Sequence, residues 1–369
     1  MGLVERSAMV DWNFYKGKRV LITGNTGFKG SWMSRLLLEL GADVTGYALE
    51  PPTEPSMFRL CGLDKEMKTV TGDIRDLEKL QQTVRETKPE LMVHMAAQPI
   101  VRESYRKPVY TYEVNVMGTV HVLECVRTNE CIRSFLNVTT DKVYQNREWE
   151  WGYRENERLN GFDPYSNSKS CSELVTDSYR NSFFQQEEAR RVSISTARAG
   201  NVIGGGDFAA DRIIPDCARA AMSGNRIEVR NPNSVRPYQH VLEPVAVYLM
   251  ILQRQWENPA MAGSYNVGPE ESDCLTTGRL AEGFCRNWSA YTGEDILWES
   301  VQKNGPHEAN YLKLDCSKLK RTFGWKPCWD VEKALEKTVE WYACYQKGGN
   351  LAACTGKQIE EFLKLFLME

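Results

Sequence analysis

Along the first two hundred residues, apolar positions alternate between short continuous runs and stripes at helical spacing. Residues 19–23 form such a run and open onto a glycine turn; Met33, Leu36, Leu37 and Leu40 then recur on one helical face that ends at Gly41. Further strands are predicted at 43–49, 67–71, 91–95, 135–139 and 192–198, with helices between most of them, including 112–127 and 165–184. Strands that alternate with helices imply a parallel sheet covered on both faces, with ligands bound beyond the strands' carboxyl ends. Beyond about residue 200 the rhythm breaks into shorter elements separated by Gly, Asn and Pro loops at 204–207, 231–237 and 304–306. Such loops suit a smaller lobe that meets a substrate. The helical segments 330–345 and 359–368 are expected to pack on the outside.

Composition narrows the class. The 369 residues suit two lobes of ordinary size, and 42% hydrophobic with 26% charged residues is a globular balance. A formal net charge of -3 argues against a basic face for nucleic acid. Eleven cysteines, an odd number with no CxxC pair, read as reduced thiols in a cytosol. Four histidines far apart give little support to a metal site, and none is expected. The first ten residues lack a signal-peptide core, and the longest apolar run, 245–252, is too short to span a bilayer. A cytoplasmic protein that does not bind membranes is the expectation.

The turn Gly24-Asn25-Thr26-Gly27-Phe28-Lys29-Gly30 lies between a strand and a helix. Glycines there let the backbone approach a pyrophosphate, which sits on the helix N-terminus. This predicts a Rossmann-type doubly wound parallel sheet of the α/β class, with a smaller α/β substrate-binding lobe. Residues 1–200, with a returning segment at 238–270, would form the dinucleotide domain; 201–237 and 271–369 would form the smaller lobe. An acidic residue ~20 positions past the turn normally holds the ribose of NAD. Glu50 is the nearest candidate, and no basic residue follows the second strand until Arg59, which favours NAD over NADP. Asp73, followed by Ile74, would either meet the adenine or cap the next helix; Ala96 and Ala97 follow the fourth strand.

Tyr165 and Lys169 stand at i and i+4 on one helical face. A neighbouring ammonium, helped by the positive nicotinamide, is expected to lower the tyrosine's pKa and make it a usable base. The fifth strand runs into Thr140-Asp141-Lys142, an acid and a base at the sheet's carboxyl edge. A simple oxidoreductase has no need of that extra pair, whereas an elimination does.

The segments TGNTGFKGSW, HMAAQPIVRESY, TTDKVYQNREWEWGYREN, DPYSNSKS, RAGNVIGGGDFAADRIIPD, RPYQHVLEP and PHEANYLKLDCSK together resemble the nucleotide-sugar 4,6-dehydratases of the extended short-chain dehydrogenase family. Lys142, where relatives usually carry Glu, points within that family to its CDP-glucose branch. Val143, Ser170 and Tyr238 depart from that branch's pattern of Cys, Gly and Trp. The resemblance implies a tightly held NAD, cradled by Gly24, Thr26, Gly27, Phe28, Lys29, Gly30, Asp73, Ile74, Ala96 and Ala97. It also implies oxidation at C4 by Tyr165, helped by Thr140 and Lys169, then loss of water across C5–C6 with Asp141 as acid, then reduction at C6. Lys142 would be either the C5 base or a cation that stabilises the enolate. Asn201, Arg212, Arg236, Gln239, His307 and Tyr311 would hold the nucleotide diphosphate and Gln98 the hexose. Asn115 would either steady the backbone near the site or be an ordinary internal helix amide. A homodimer and a role in deoxysugar supply for a bacterial surface polysaccharide are implied as well. The alternatives are a nucleotide-sugar 4-epimerase or a dehydratase acting on another sugar nucleotide, and, from another class, a non-catalytic NAD-binding regulator.

Overall fold

The computed structural model describes residues 10–184, 192–301 and 312–368. Its larger sheet is laid down by β1 (Arg19–Thr23), β2 (Asp43–Ala48), β3 (Lys68–Thr71), β4 (Leu91–His94), β5 (Ser134–Thr140) and β6 (Ser193–Ala199). The smaller elements β7 (Asn201–Ile203), β8 (Ile227–Val229) and β9 (Val235–His240) follow, then β10 (Ser264–Val267), β11 (Cys274–Thr276) and β12 (Trp298–Ser300). The seven-stranded sheet has the order β3-β2-β1-β4-β5-β6-β10, and every pairing in it is parallel. Chain order reverses between β1 and β4, which opens a crevice at their carboxyl ends.

Helices cover both faces. Trp32, Leu36 and Leu37 of the helix Phe28–Glu39 pack on one side with Val245 and Leu249 of the helix Leu242–Glu257, and Leu80, Val84 and Leu123 pack on the other. All seven residues of β5 and of β6 are buried, as a doubly covered parallel sheet requires. Their polar members are paired inside. Gln255, fully buried, donates to Ser134 Oγ (2.7 Å) and the Phe135 carbonyl (3.0 Å), which fixes the covering helix on the sheet.

In the smaller lobe β7 and β9 pair parallel, β9 and β11 antiparallel, and β8 pairs with β12. The helix Val331–Gln346, expected on the outside, instead buries Trp341 and Tyr342. It reaches inward because the loop before residue 213 is built on it: the Phe208 ring packs against Trp341, Tyr342 and Tyr345, and Tyr342 Oη donates to the Asp207 carbonyl. The last helix, Leu351–Met368, buries Ile359 and Phe362, and Phe366 meets Trp12 at 5.3 Å between ring centres. No helix among the described residues is long and apolar enough to cross a membrane.

Candidate active site

The glycine turn is built as the spacing demands. Gly24 has φ +80°, and a Cβ on it would lie 2.7 Å from the Ala96 nitrogen. A Cβ on Gly30 would collide with the Gly24 carbonyl, so that glycine seats the helix against the strand. Gly27 differs: it caps the helix at φ -76°, and the nearest atom to a Cβ there would be Gly24 O at 3.5 Å. Protein packing does not require a glycine at 27; its bare face keeps the helix N-terminus open to a ligand.

At the end of β2, Glu50 pairs with Arg59 (3.1 Å), which Glu54 also contacts (3.0 Å). Two carboxylates around one guanidinium leave this edge acidic. Asp73 does not cap the following helix. That role falls to Asp76, whose carboxylate accepts from Lys79 N–H, while Asp73 accepts from the Arg75 backbone and pairs with its guanidinium at 2.8 Å. Arg75 holds the Asp73 carboxyl below the usual carboxylate range. Ile74 packs tightly against Gly118, and its carbonyl meets His121 Nδ1 (3.0 Å).

The chemistry-bearing residues meet where β5 ends. The helix Pro164–Tyr179 starts with Pro164 and an Asp163 cap on Ser166 N–H (2.9 Å), and so presents Tyr165 to the strand end. Thr140 neighbours Tyr165 closely enough to lower its pKa, and Thr140 Oγ1 donates to Asp141 Oδ1 at 2.9 Å. Asp141 is 3% exposed; burial pushes its pKa up, against the pull of Lys142, Thr140 and Arg236. Lys142 is half-buried beside it, and among the described residues its ammonium makes no hydrogen bond or ion pair.

The pKa of Tyr165 is not lowered in the free protein: burial pushes it up to about 12, although Thr140 and Arg212 pull the other way. Lys169 does not offset this, because its Nζ donates to the Val138 carbonyl (3.2 Å), and burial brings its own pKa down to about 8. One turn further on, Glu173 accepts from Thr139 and from Thr196 (2.7 Å) and pairs with Arg198 at 2.9 Å, all of them buried. Sequence reading passed over this anchor, although its i+4 spacing from Lys169 was the available signal.

Arg212 pairs with Asp207 (2.9 Å) and its charge reaches Tyr165; Arg236, on β9, reaches Asp141. Asn201 begins β7 next to Gly200, where a Cβ would lie 3.3 Å from Asp141 Oδ2. The two glutamines both bond the chain itself, Gln239 through its amide nitrogen while its buried Oε1 is unpartnered among the described residues. Gln98 bonds Thr111 (3.0 Å) and both polar groups of the Ile100 backbone, so it folds its own loop rather than facing open space. Gln239 is 1% exposed and donates to the Val267 carbonyl (3.3 Å) in the seam between β9 and β10. His307 and Tyr311 lie outside the described residues. Asn115 holds the Gln98 backbone at both ends and donates to Ser168 Oγ (2.9 Å), which ties the loop after β4 to the Tyr165 helix.

Comparison with known proteins agrees with this layout. The family model for GDP-mannose 4,6 dehydratase matches residues 21–338. A CDP-glucose 4,6-dehydratase of Salmonella typhimurium is 48% identical, covering 96% of this chain and 99% of that one. A dTDP-glucose 4,6-dehydratase of Streptomyces antibioticus is 26% identical over 88% of this chain and 92% of its own. In fold, the chain matches a Bacillus anthracis dTDP-glucose 4,6-dehydratase crystallised with NAD at a TM-score of 0.73 and 21% identity, covering 91% and 100% of the two chains. A UDP-glucose 4-epimerase of Thermotoga maritima matches at a TM-score of 0.72 and 21% identity, over 88% and 98%. The sheet order, the glycine turn and the extent of these matches lead to one conclusion: this chain belongs to the nucleotide-sugar 4,6-dehydratase family.

Proposed function

We propose that the protein dehydrates CDP-D-glucose to CDP-4-keto-6-deoxy-D-glucose with NAD as a resident cofactor. The observation that carries this reading is the buried acid Asp141, held toward its protonated form and bonded to Thr140, which neighbours Tyr165. An oxidation alone needs only the tyrosine; a protonated acid beside it is what the departure of a hydroxyl requires. The close Salmonella relative, which bears the name of this activity, supports the nucleotide and the sugar.

NAD fits the bare Gly27 face and the acidic end of β2, where a ribose diol is better received than a 2′-phosphate. When bound it supplies a reversible hydride acceptor, so the sugar can be oxidised at C4 and reduced at C6 without net redox change. The chain's own residues move the protons. Tyr165 takes the C4 hydroxyl proton; its high pKa in the free protein means that the phenolate needs positive charge brought in with the ligands. Lys142 removes the proton at C5, now acidified by the 4-ketone. Asp141 protonates the leaving C6 hydroxyl as water, and Lys142 returns its proton to C5. Arg212, Arg236 and Asn201 receive the nucleotide diphosphate, with His307 and Tyr311 as further contacts.

A homodimer is part of the same reading. The helices around residues 101–117 and the helix Pro164–Tyr179 with its continuation expose Tyr105, Val109, Tyr112, Met117, Leu174 and Phe183, an apolar set that a second copy would cover. Such a dimer sediments at twice the 42.2 kDa chain mass, and a monomer at micromolar concentration would refute it.

The deciding experiment is mass spectrometry after incubation with NAD and, separately, CDP-, dTDP-, GDP- and UDP-glucose. Loss of one water from CDP-glucose alone is expected. Loss from another sugar nucleotide would move the substrate assignment, an isomer of unchanged mass would mean an epimerase, and no reaction would leave a binding protein.

A further inference from the structure

The first turn of the helix Phe28–Glu39 carries a cation that the protein does not neutralise. Lys29 is its second residue, where the helix N-terminus already bears partial positive charge. Its Nζ lies 3.3 Å from the hydroxyl of the fully buried Tyr248, and among the described residues no carboxylate forms an ion pair with it. Arg212 and Lys169 both repel it, and Asp141, whose burial favours the neutral acid, is the opposing charge. Burial and these neighbours bring Lys29 down to about 8. Three cations from three separate elements therefore act on one another here, one of them in the first turn after Gly27. That arrangement is unfavourable in the empty protein and complementary to a polyanion.

We propose that the side chain of Lys29, positioned by Tyr248, binds a diphosphate directly and adds a charge-assisted bond to what the backbone amides of the turn supply. The inference rests on the dehydratase reading and deepens it. Both the dinucleotide and the sugar nucleotide carry a diphosphate, so the test uses NAD and CDP as separate probes. Each is titrated against wild type, Lys29→Met and Lys29→Arg by calorimetry, and the ligand-free melting temperature of each protein is recorded.

Lys29→Met should weaken at least one probe about tenfold or more, while Lys29→Arg stays within a few-fold. The probe that weakens identifies the source of the diphosphate. The ligand-free Lys29→Met protein should melt at a higher temperature than wild type, because an unmatched cation has been removed. A merely structural lysine would give the opposite sign. Wild-type affinity for both probes in Lys29→Met would overturn the inference alone, as would a lowered melting temperature. A wild-type protein that binds neither probe would overturn the dehydratase reading and this inference with it.

Discussion

In the proposed mechanism Lys142 is the residue that takes the C5 proton. Its side chain is half-buried beside Asp141 and makes no hydrogen bond among the described residues, which leaves it open to a substrate. Lys142→Met keeps the stem and removes the base. In heavy water with CDP-glucose, this variant should lose deuterium incorporation at C5 and drop at least about a hundredfold in turnover. Normal exchange at C5 would assign the proton to another group. At this scale the sequence was a good guide where spacing dictates geometry: Tyr165 and Lys169 fall on one helical face whatever surrounds them. It was a poor guide to where a polar side chain turns. Gln98 follows a strand end, as a substrate contact would, but its amide closes the 98–100 turn instead. Nor does spacing report burial, which is what raises the pKa of Tyr165 in the free protein.

Strands were legible to within a residue or two because a doubly covered parallel sheet needs unbroken buried runs: β1 is as predicted, and β5 extends one residue beyond 135–139 at each end. The helix expected at 112–127 is instead three pieces, and the middle one, Glu113–Met117, is a π-helical turn. Hydrophobic periodicity does not reveal such an insertion. The turn holds Asn115, whose three hydrogen bonds clamp the loop after β4 onto the Tyr165 helix. Asn115→Ala leaves the Gln98 backbone unpaired in a buried place, and should cost about 2–3 kcal/mol. Urea unfolding should show this as a lower midpoint at unchanged slope. A variant as stable as wild type would show that the loop is held by other contacts.

Across the whole molecule, burial keeps two histidines neutral. His94, at the end of β4, sits between the hydroxyls of Thr23 (2.8 Å) and Thr119 (3.2 Å), and burial with repulsion from Lys169 brings its pKa down to about 3. His240, at the end of β9, is wedged between the Trp32 and Trp329 rings, with centres 5.4 and 4.9 Å away; burial and Lys337 bring it to about 3 as well. Folded-state values below the ordinary 6.5 mean that between pH 6.5 and 3 the unfolded chain binds two protons that the folded chain refuses. Stability is therefore fully present above pH 6.5 and falls as the pH drops through that window, by about 1.4 kcal/mol per unit for each histidine. Because both histidines are buried within the folded chain, the loss should appear as a single cooperative transition. Urea midpoints should fall between pH 6.5 and 5, and His240→Asn should flatten the slope by about half even though it is less stable at neutral pH. Midpoints that do not change over that range would mean that both rings gain a proton, and with it a partner, in the folded protein.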